Sequence, residues 1–230
     1  MIDIADNINK VRDTIAEAAI KSGRAPDDVK LVAASKTKPV EMIRQAVAAG
    51  VDAVGENRVQ EMLEKQAQGA YIGAPLHFIG HLQSNKAGRV VGACDLIESV
   101  GSPALIKLIG KKASSLGITQ NVLIEVNIGK EPQKSGILPE RLDEIMDIAS
   151  QTVGVFVLGL MAVPPISDES DRNCNYFDAM YNLYVDISKK KYDNVSMTLL
   201  SMGMSDSYTE AILAGSNMVR IGSAIFGERF

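Results

Sequence analysis

The sequence alternates eight times between a short apolar segment of strand character and a longer segment with helical periodicity. This alternation constrains the fold most, because strands that are separated by helices must pair in parallel. The predicted strands lie at 29–35, 53–56, 76–80, 96–99, 121–127, 156–162, 197–202 and 218–222. The predicted helices lie at 39–49, 57–69, 84–92, 102–116, 139–150, about 171–190 and 206–214.

Eight such units, with no change in composition or Pro/Gly/Ser-rich linker between them, predict an α/β fold. The predicted architecture is a single (β/α)8 TIM-type barrel that spans residues 1–230 as one domain, with an extra helix at the N-terminus. An open, doubly wound sheet is the alternative, but it would leave two strand edges unpaired. A solvated loop is expected at 164–170, after the sixth strand.

Charge and targeting signals exclude several classes of protein. The formal net charge is −4 and the pI is about 5.3, so there is no broad positive field for nucleic acid or a membrane surface. The N-terminal segment is amphipathic without a basic region, unlike a signal peptide, and no apolar stretch reaches 18 residues. Cys94 and Cys174 lie far apart with no CxxC pattern, so neither a disulfide nor a zinc site is expected. We therefore expect a cytoplasmic protein without a metal site.

A lysine follows the first predicted strand in the segment LVAASKTKP. Residues two apart in a strand share a face, so Val32, Ala34 and Lys36 point the same way. If that face is inward, the Lys36 amine lies at the C-terminal mouth, where barrel enzymes place their active groups, whereas Lys38 is expected in solvent. A lysine held against an apolar wall favours its neutral form and can attack an aldehyde to form a Schiff base. Lysines at strand ends also commonly extend into solvent, so this segment alone does not decide.

The last two predicted strands are followed by glycine and serine, in the segments LSMGMSD and VRIGSAIFG. These residues let backbone N–H groups and hydroxyls turn toward an anion, and (β/α)8 barrels bind phosphate at the loops after strands seven and eight. The predicted phosphate ligands are Ser201, Gly203, Gly222 and Ser223, with the main chain of Met202. The segment LSMGMSD alone also fits an ordinary helix start that is capped by Ser205 or Asp206.

An arginine precedes the second of these loops. Arg220 lies on the same face of strand eight as Met218, and a guanidinium directed into a barrel needs an acceptor or an anion, because burying it unpaired is costly. In a closed barrel, strand eight pairs with strand one, so Lys36 and the phosphate loops would be neighbours. A small molecule with an aldehyde and a phosphate would bridge them, and pyridoxal 5′-phosphate (PLP) is such a molecule.

With these residues in place, the sequence resembles the pyridoxal phosphate homeostasis proteins, the YggS family of PLP-binding proteins. The matching motifs run almost from end to end: LVAASKTKP, GENRVQE, LHFIGHLQSNK, IESV, VLIEVNIGKEPQKSG, GLMAVPP and LSMGMSDSYTEAILAGSNMVRIGSAIFG. The resemblance implies the PLP-binding barrel of alanine racemase, PLP fold type III, without the C-terminal β-domain that the racemases add.

The resemblance also implies roles for single residues. Lys36 would hold PLP as an internal aldimine, and Arg220 would face the pyridine nitrogen, which stays unprotonated because arginine can only donate. The residues implied to line the ring are Asn57, His77, Ile79 and Met161. The motifs that contain Asn85, Lys86 and residues 134–136 have no assigned role.

The function that the resemblance implies is intracellular PLP homeostasis. A monomer would hold PLP as a lysine aldimine and pass it to PLP-dependent apoenzymes without robust turnover of its own, Lys36 being the one candidate catalytic base. Two alternatives stay open. The first is a PLP-dependent amino-acid racemase, lyase or decarboxylase of the alanine racemase type, and the second is a Schiff-base aldolase that acts on a phosphosugar through Lys36.

Overall fold

The computed structural model describes residues 3–165 and 170–227, in which eight parallel strands close into a barrel in sequence order. The strands are β1 Lys30–Ala34, β2 Ala53–Glu56, β3 Leu76–Phe78, β4 Leu96–Val100, β5 Gln120–Glu125, β6 Val155–Met161, β7 Val195–Ser201 and β8 Met218–Ile221. Strand β1 pairs with β8 from Lys30 opposite Met218 to Ala33 opposite Ile221, which closes the barrel. The predicted barrel is therefore confirmed, and the open sheet is excluded.

The helices follow the predicted order along the chain. They are α1 Ile4–Lys21, α2 Val40–Ala48, α3 Val59–Ala67, α4 Ala87–Val90, α5 Pro103–Ser115, α6 Leu142–Ser150, α7 Ser170–Ser188, α8 Tyr208–Leu213 and α9 Ser223–Phe226. The helix predicted at 84–92 is shorter than expected, because a 3-10 turn at Ser84–Lys86 precedes α4 and the chain then turns at Gly92, which has a φ of 78°. Of the loop predicted at 164–170, residues 166–169 lie outside the described part. Within the described ranges, no helix has the length and apolar character that a membrane crossing requires.

The extra N-terminal helix covers the barrel where the helix after the last strand is short. Helix α9 has four residues, and α1 packs against both α8 and α9. The Asn7 side-chain amide of α1 donates to the Ile225 carbonyl oxygen at 3.0 Å. The buried face of α1 repeats at helical spacing through Ile4, Ile8, Val11 and Ile15. The apolar stripe of α1 thus completes the outer layer that α9 is too short to supply.

Alternate residues of each strand point into the barrel. Val32, Ala53 and Met218 form one apolar cluster inside it, separate from the larger core between the strands and the helices. Because Arg220 comes two residues after Met218, its side chain also points inward, and it is buried at 4% exposure. The face on which the sequence analysis placed Arg220 is the interior one.

A buried charge cluster supports the segment that follows β1. The Lys65 ammonium of α3 donates to Glu56 Oε1 at 2.8 Å and to the Ser35 carbonyl oxygen at 3.0 Å. The Ser35 and Tyr71 hydroxyls donate to the same Glu56 oxygen at 2.6 and 3.2 Å. Lys65 also forms an ion pair of 2.7 Å with Glu61. The Lys65 ammonium, paired with the Glu56 and Glu61 carboxylates, therefore holds the segment after β1 in place.

Removal of the Lys65 ammonium should destabilise the fold strongly. Lys65→Ala leaves Glu56, whose side chain is 0% exposed, without its cation, and such a loss costs about 3–5 kcal/mol in the free energy of unfolding. Urea unfolding measures this quantity. The matched control is Lys10→Ala, which removes an ion pair to Asp6 on an exposed face of α1 and should change the free energy of unfolding far less. Equal costs for the two variants would contradict the supporting role of the cluster.

Candidate functional site

A cavity of about 360 Å³ opens at the C-terminal mouth of the barrel, beside the paired ends of β1 and β8. The structure brings six of the predicted site residues to its wall: Lys36, Asn57, Ile79, Arg220, Gly222 and Ser223. Other parts of the wall are formed by Lys38, Val163, Met204, Ser205 and Asp206. Lys36 and the glycine-serine loop after β8 therefore line the same cavity, while their contacts with a ligand stay predictions.

A strained turn brings both lysines after β1 to this cavity. Thr37, which lies between them, has a φ of 64°, a conformation that β-branched residues rarely adopt. Its backbone N–H donates to Glu61 Oε1 at 2.6 Å, which holds the turn in place. The Lys38 ammonium then donates to the Phe226 and Gly227 carbonyl oxygens at 3.1 and 3.0 Å. The expectation that Lys38 lies in solvent is thus wrong, because the left-handed turn directs this half-buried side chain along the cavity wall.

Backbone N–H groups meet a hydroxyl where the loops after β7 and β8 form the cavity wall. The N–H groups of Gly222 and Ala224 both donate to the Ser205 hydroxyl oxygen, at 3.3 and 3.4 Å. These distances are long for hydrogen bonds, so the pair of donors is weakly satisfied. The Ser223 hydroxyl lies on the same wall and is exposed. This part of the cavity wall can therefore donate hydrogen bonds to an anion.

A glycine shapes the turn between β7 and α8 that carries Ser205. Gly203 has a φ of 96°, and a Cβ at this position would lie 2.7 Å from the Ala211 Cβ on α8. The Gly203 carbonyl oxygen accepts the Arg220 backbone N–H at 3.1 Å, which ties this turn to β8. The glycine is required here by the positive φ and by the close approach of the helix.

Five predicted residues are buried and do not line the cavity: His77, Met161, Ser201, Met202 and Gly203. Met161 and Met202 are fully buried, and Met161 packs inside the barrel against Leu96 and Leu123. His77 and Ser201 are also buried, and both form hydrogen bonds with Glu98 of β4. Their contacts with PLP stay predictions.

Arg220 is held in a network of buried polar groups. Its guanidinium donates to the Ser201 hydroxyl, and to the Ala162 carbonyl oxygen at 2.8 Å. It also lies 3.7 Å from Glu98, which in turn accepts from the Ser201 hydroxyl at 2.6 Å and lies 2.8 Å from His77 Nδ1. Burial lowers the pKa of Arg220, whereas the charges of Glu98 and Glu125 act to raise it. The network fixes a charged donor at the cavity wall.

The same network determines the charge of Glu98. Burial acts to raise the pKa of this carboxyl group, but the hydrogen bond and charge interaction with His77, together with the charge of Arg220, leave the pKa below its usual range. Glu98 is therefore a buried anion that neutralises the charge of Arg220. The sequence analysis did not single out Glu98, although its alternation with Leu96 in the strand LIESV could have placed it inside the barrel.

The wall near β2 depends on a close backbone approach. A Cβ at Gly80 would lie 2.2 Å from the Asn57 carbonyl oxygen, so only glycine allows the segment after β3 to pack on Asn57. The Asn57 amide oxygen is buried and, among the described residues, has no hydrogen-bond partner. An amide oxygen in this state is available to a ligand that donates a hydrogen bond.

Comparison with known proteins places the chain in a family. The sequence profile of the family "Alanine racemase, N-terminal domain" matches residues 4–229. The pyridoxal phosphate homeostasis protein of Aquifex aeolicus is 38% identical over 228 residues, which cover 99% of each chain. The chain belongs to the family of pyridoxal phosphate homeostasis proteins.

Solved structures agree with this membership. PipY of Synechococcus elongatus, a structure with PLP bound, superimposes with a TM-score of 0.84 at 31% identity, over 98% of this chain and all of that one. Alanine racemase of Clostridium difficile superimposes with a TM-score of 0.74 at 18% identity, over 97% of this chain and 56% of that one. The racemase shares the barrel fold, which confirms the predicted fold class of this family member.

This member of the pyridoxal phosphate homeostasis family has a second buried carboxyl group near Arg220, that of Glu125 at the end of β5. Burial raises the pKa of Glu125 to about 7, although the charge of Arg220 acts to lower it. Glu125 is 8% exposed, and its Oε2 atom has no hydrogen-bond partner in the described ranges. Unlike Glu98, this carboxyl group ionises at the expense of the folded state.

Substitution of Glu125 should therefore change how stability depends on pH. Burial raises the pKa of Glu125 from 4.5 to about 7 in the folded state. The protonated carboxyl group therefore contributes its full share to the free energy of unfolding below pH 4.5, and this share is lost as the pH rises through 7. The loss amounts to about 3 kcal/mol. Glu125→Gln cannot ionise, so its free energy of unfolding should increase relative to the wild type over this range. Urea unfolding at a series of pH values measures the difference. Glu64→Gln, at an exposed position of α3, is the control, and a Glu125→Gln curve parallel to the wild type would contradict the raised pKa.

Proposed function

We propose that this chain binds PLP in the cavity between the ends of β1 and β8 and serves intracellular PLP homeostasis. The observation that supports the proposal is that Lys36 and residues of the loops after β7 and β8 line one cavity. PLP supplies an aldehyde, and the Lys36 amine condenses with it to a Schiff base and one water molecule. The cavity of about 360 Å³ is of the size that small-molecule sites have.

The cavity wall at the loops after β7 and β8 fits a phosphate group. The Gly222 and Ala224 N–H groups share one hydroxyl acceptor at long distances, so phosphate oxygens would improve their hydrogen bonds. The Ser223 hydroxyl adds a donor, and Gly203 keeps the β7 loop close to the wall. The proposed phosphate ligands are thus the main chain at Gly222 and Ala224 with Ser205 and Ser223.

The remaining wall of the cavity fits an aromatic ring with an acceptor atom. Arg220 is a donor, and its network with Ser201 and Glu98 fixes its position, as a partner of an unprotonated ring nitrogen requires. Ile79 and Val163 supply apolar wall, and Asn57 supplies an amide. We propose that His77 acts through Glu98, because its ring contacts that carboxylate and does not line the cavity.

A carrier role agrees with the ionisable groups of the site. Racemisation at a PLP-bound carbon needs an acid or base on each face of the ring. In the described part of the cavity wall, the ionisable side chains besides Arg220 are Lys36, Lys38 and Asp206, and Lys38 donates to two carbonyl oxygens. The described wall includes no histidine or tyrosine. The relatives from Aquifex aeolicus and Escherichia coli, at 38% and 39% identity, carry the name of homeostasis proteins.

The proposal extends to a monomeric, cytoplasmic carrier that passes PLP to PLP-dependent apoenzymes. These three properties come from the family resemblance. Transfer is measured by mixing the PLP-loaded chain with an apoenzyme of that class and following the activity that appears, against free PLP at the same concentration.

Lys36→Ala should abolish covalent binding of PLP but keep phosphate-dependent binding. The wild type should be yellow, and borohydride reduction should fix the coenzyme to Lys36, as mass spectrometry of peptides shows. The variant should yield no reduced adduct, yet bind PLP more tightly than pyridoxal, which lacks the phosphate. Lys38→Ala is the matched control and should keep the adduct. An adduct that survives in Lys36→Ala and disappears in Lys38→Ala would reverse the assignment.

The PLP-loaded chain should turn over amino acids poorly. Incubation with L-alanine, followed by chiral chromatography for D-alanine and for pyruvate, should give rates far below an equimolar alanine racemase. Substantial turnover would favour the racemase or lyase alternative. A colourless preparation that cleaves a phosphosugar would favour the aldolase.

A further inference from the structure

A second cavity, of about 240 Å³, lies at the barrel mouth between the end of β5 and the segment that joins β4 to α5. None of the residues that line it in the described chain lines the first cavity. Its polar wall groups include Ser99, Glu125, His81, Gln83 and Ser135. At about 30 Å³ for each water molecule of the liquid, this volume corresponds to a ligand of about eight heavy atoms.

Two of the groups on this wall are buried and unsatisfied. Glu125 is 8% exposed and Ser99 is 3% exposed. Neither the Glu125 Oε2 atom nor the Ser99 hydroxyl has a hydrogen-bond partner among the described residues. Buried polar groups are normally paired, so two unpaired groups that line one cavity indicate a ligand that pairs with both.

The wall is built by close backbone contacts. A Cβ at Gly101 would lie 2.8 Å from the Gly136 Cα, so the segments after β4 and β5 can approach this closely only because residue 101 is glycine. The Ser135 hydroxyl and His81 Nδ1 are 2.7 Å apart, which joins the same segment to the one after β3. The motifs HLQS and KSG, to which the PLP site gives no role, therefore form the rim of this cavity.

The groups around Glu125 indicate that a ligand of this cavity carries a positive charge. The Arg220 guanidinium donates to Ser201 and Ala162 rather than to Glu125. The Lys134 ammonium, in the adjacent KSG motif, forms an ion pair of 2.6 Å with Glu131 and donates to the Pro164 carbonyl oxygen. The carboxylate thus lacks a direct cationic partner among the described residues, and a ligand can supply one.

We propose that this second cavity binds a small ligand through a primary ammonium group, which donates hydrogen bonds to Glu125 and to Ser99. An ammonium has three donors and can serve both oxygens, whereas a quaternary ammonium or an alkali cation cannot donate. Amines and amino acids share this group. The proposal does not depend on PLP, because the two cavities have separate walls.

The test uses the full chain freed of PLP, so that no aldehyde reacts with the probes. Glycine and ethanolamine are titrated at constant ionic strength by isothermal calorimetry, and acetate, choline and potassium chloride are the controls. The expected result is binding of one or both of the ammonium compounds and of none of the controls. Binding of glycine alone indicates an amino acid and binding of both indicates a simple amine. Equal binding of choline or potassium would overturn the proposal, as would failure of both ammonium compounds to bind.

Three variants locate the binding site. Glu125→Gln should weaken ammonium binding at least tenfold, because a charge-assisted hydrogen bond is lost, and Ser99→Ala should weaken it less. Glu64→Gln, the control, should bind the ammonium compounds as the wild type does. Unchanged affinity in both Glu125→Gln and Ser99→Ala would overturn the proposal. If Glu125→Gln folds more stably at neutral pH and also loses binding, the carboxylate is kept at a cost in stability, as expected of a binding group.

Discussion

The parallel pairing of β1 with β8 is the contact on which the site depends. Lys36 and the glycine-serine loop after β8 are separated by most of the chain, and only closure of the barrel makes them neighbours. An open sheet with the same strand order would place them at opposite edges. Helix α1 strengthens this seam, because it covers α8 and α9 where the last β/α unit is too short to do so.

Closure also places charged groups in the interior of the barrel. Arg220 follows the inward face of β8, and transfer of such an ion out of water costs several kcal/mol. Glu98 from β4, on the other side of the barrel, offsets this cost with its charge, and His77 and Ser201 satisfy its oxygen atoms. The position of the guanidinium is therefore fixed by groups from several strands, so that a donor is ready at the cavity before a ligand binds.

The sequence could predict the features that depend on the alternation of strands and helices and on the alternation of side chains along a strand. Strand order, the inward face of Arg220 and the meeting of Lys36 with Gly222 follow from alternation and closure. The sequence could not show that Ser201 contacts Arg220 and Glu98 rather than the cavity, since that depends on a contact across the barrel. Nor could it show the position of Lys38, because Thr37 adopts a conformation that its residue type disfavours and that Glu61, on another element, holds in place.

Two buried carboxyl groups, Glu98 and Glu125, interact with the charge of Arg220 but differ in their surroundings. Glu98 is hydrogen-bonded on both oxygens and titrates below its usual range, so it completes the support of the first cavity. The charge of the same guanidinium acts on Glu125, but the Glu125 Oε2 atom has no hydrogen-bond partner in the described ranges and burial raises the pKa to about 7. Ionisation of Glu125 therefore does not stabilise the fold. A core that needed only to balance Arg220 would be more stable with an amide or an apolar residue at position 125. A carboxylate at this position is therefore better explained by a cationic ligand in the second cavity than by the stability of the barrel.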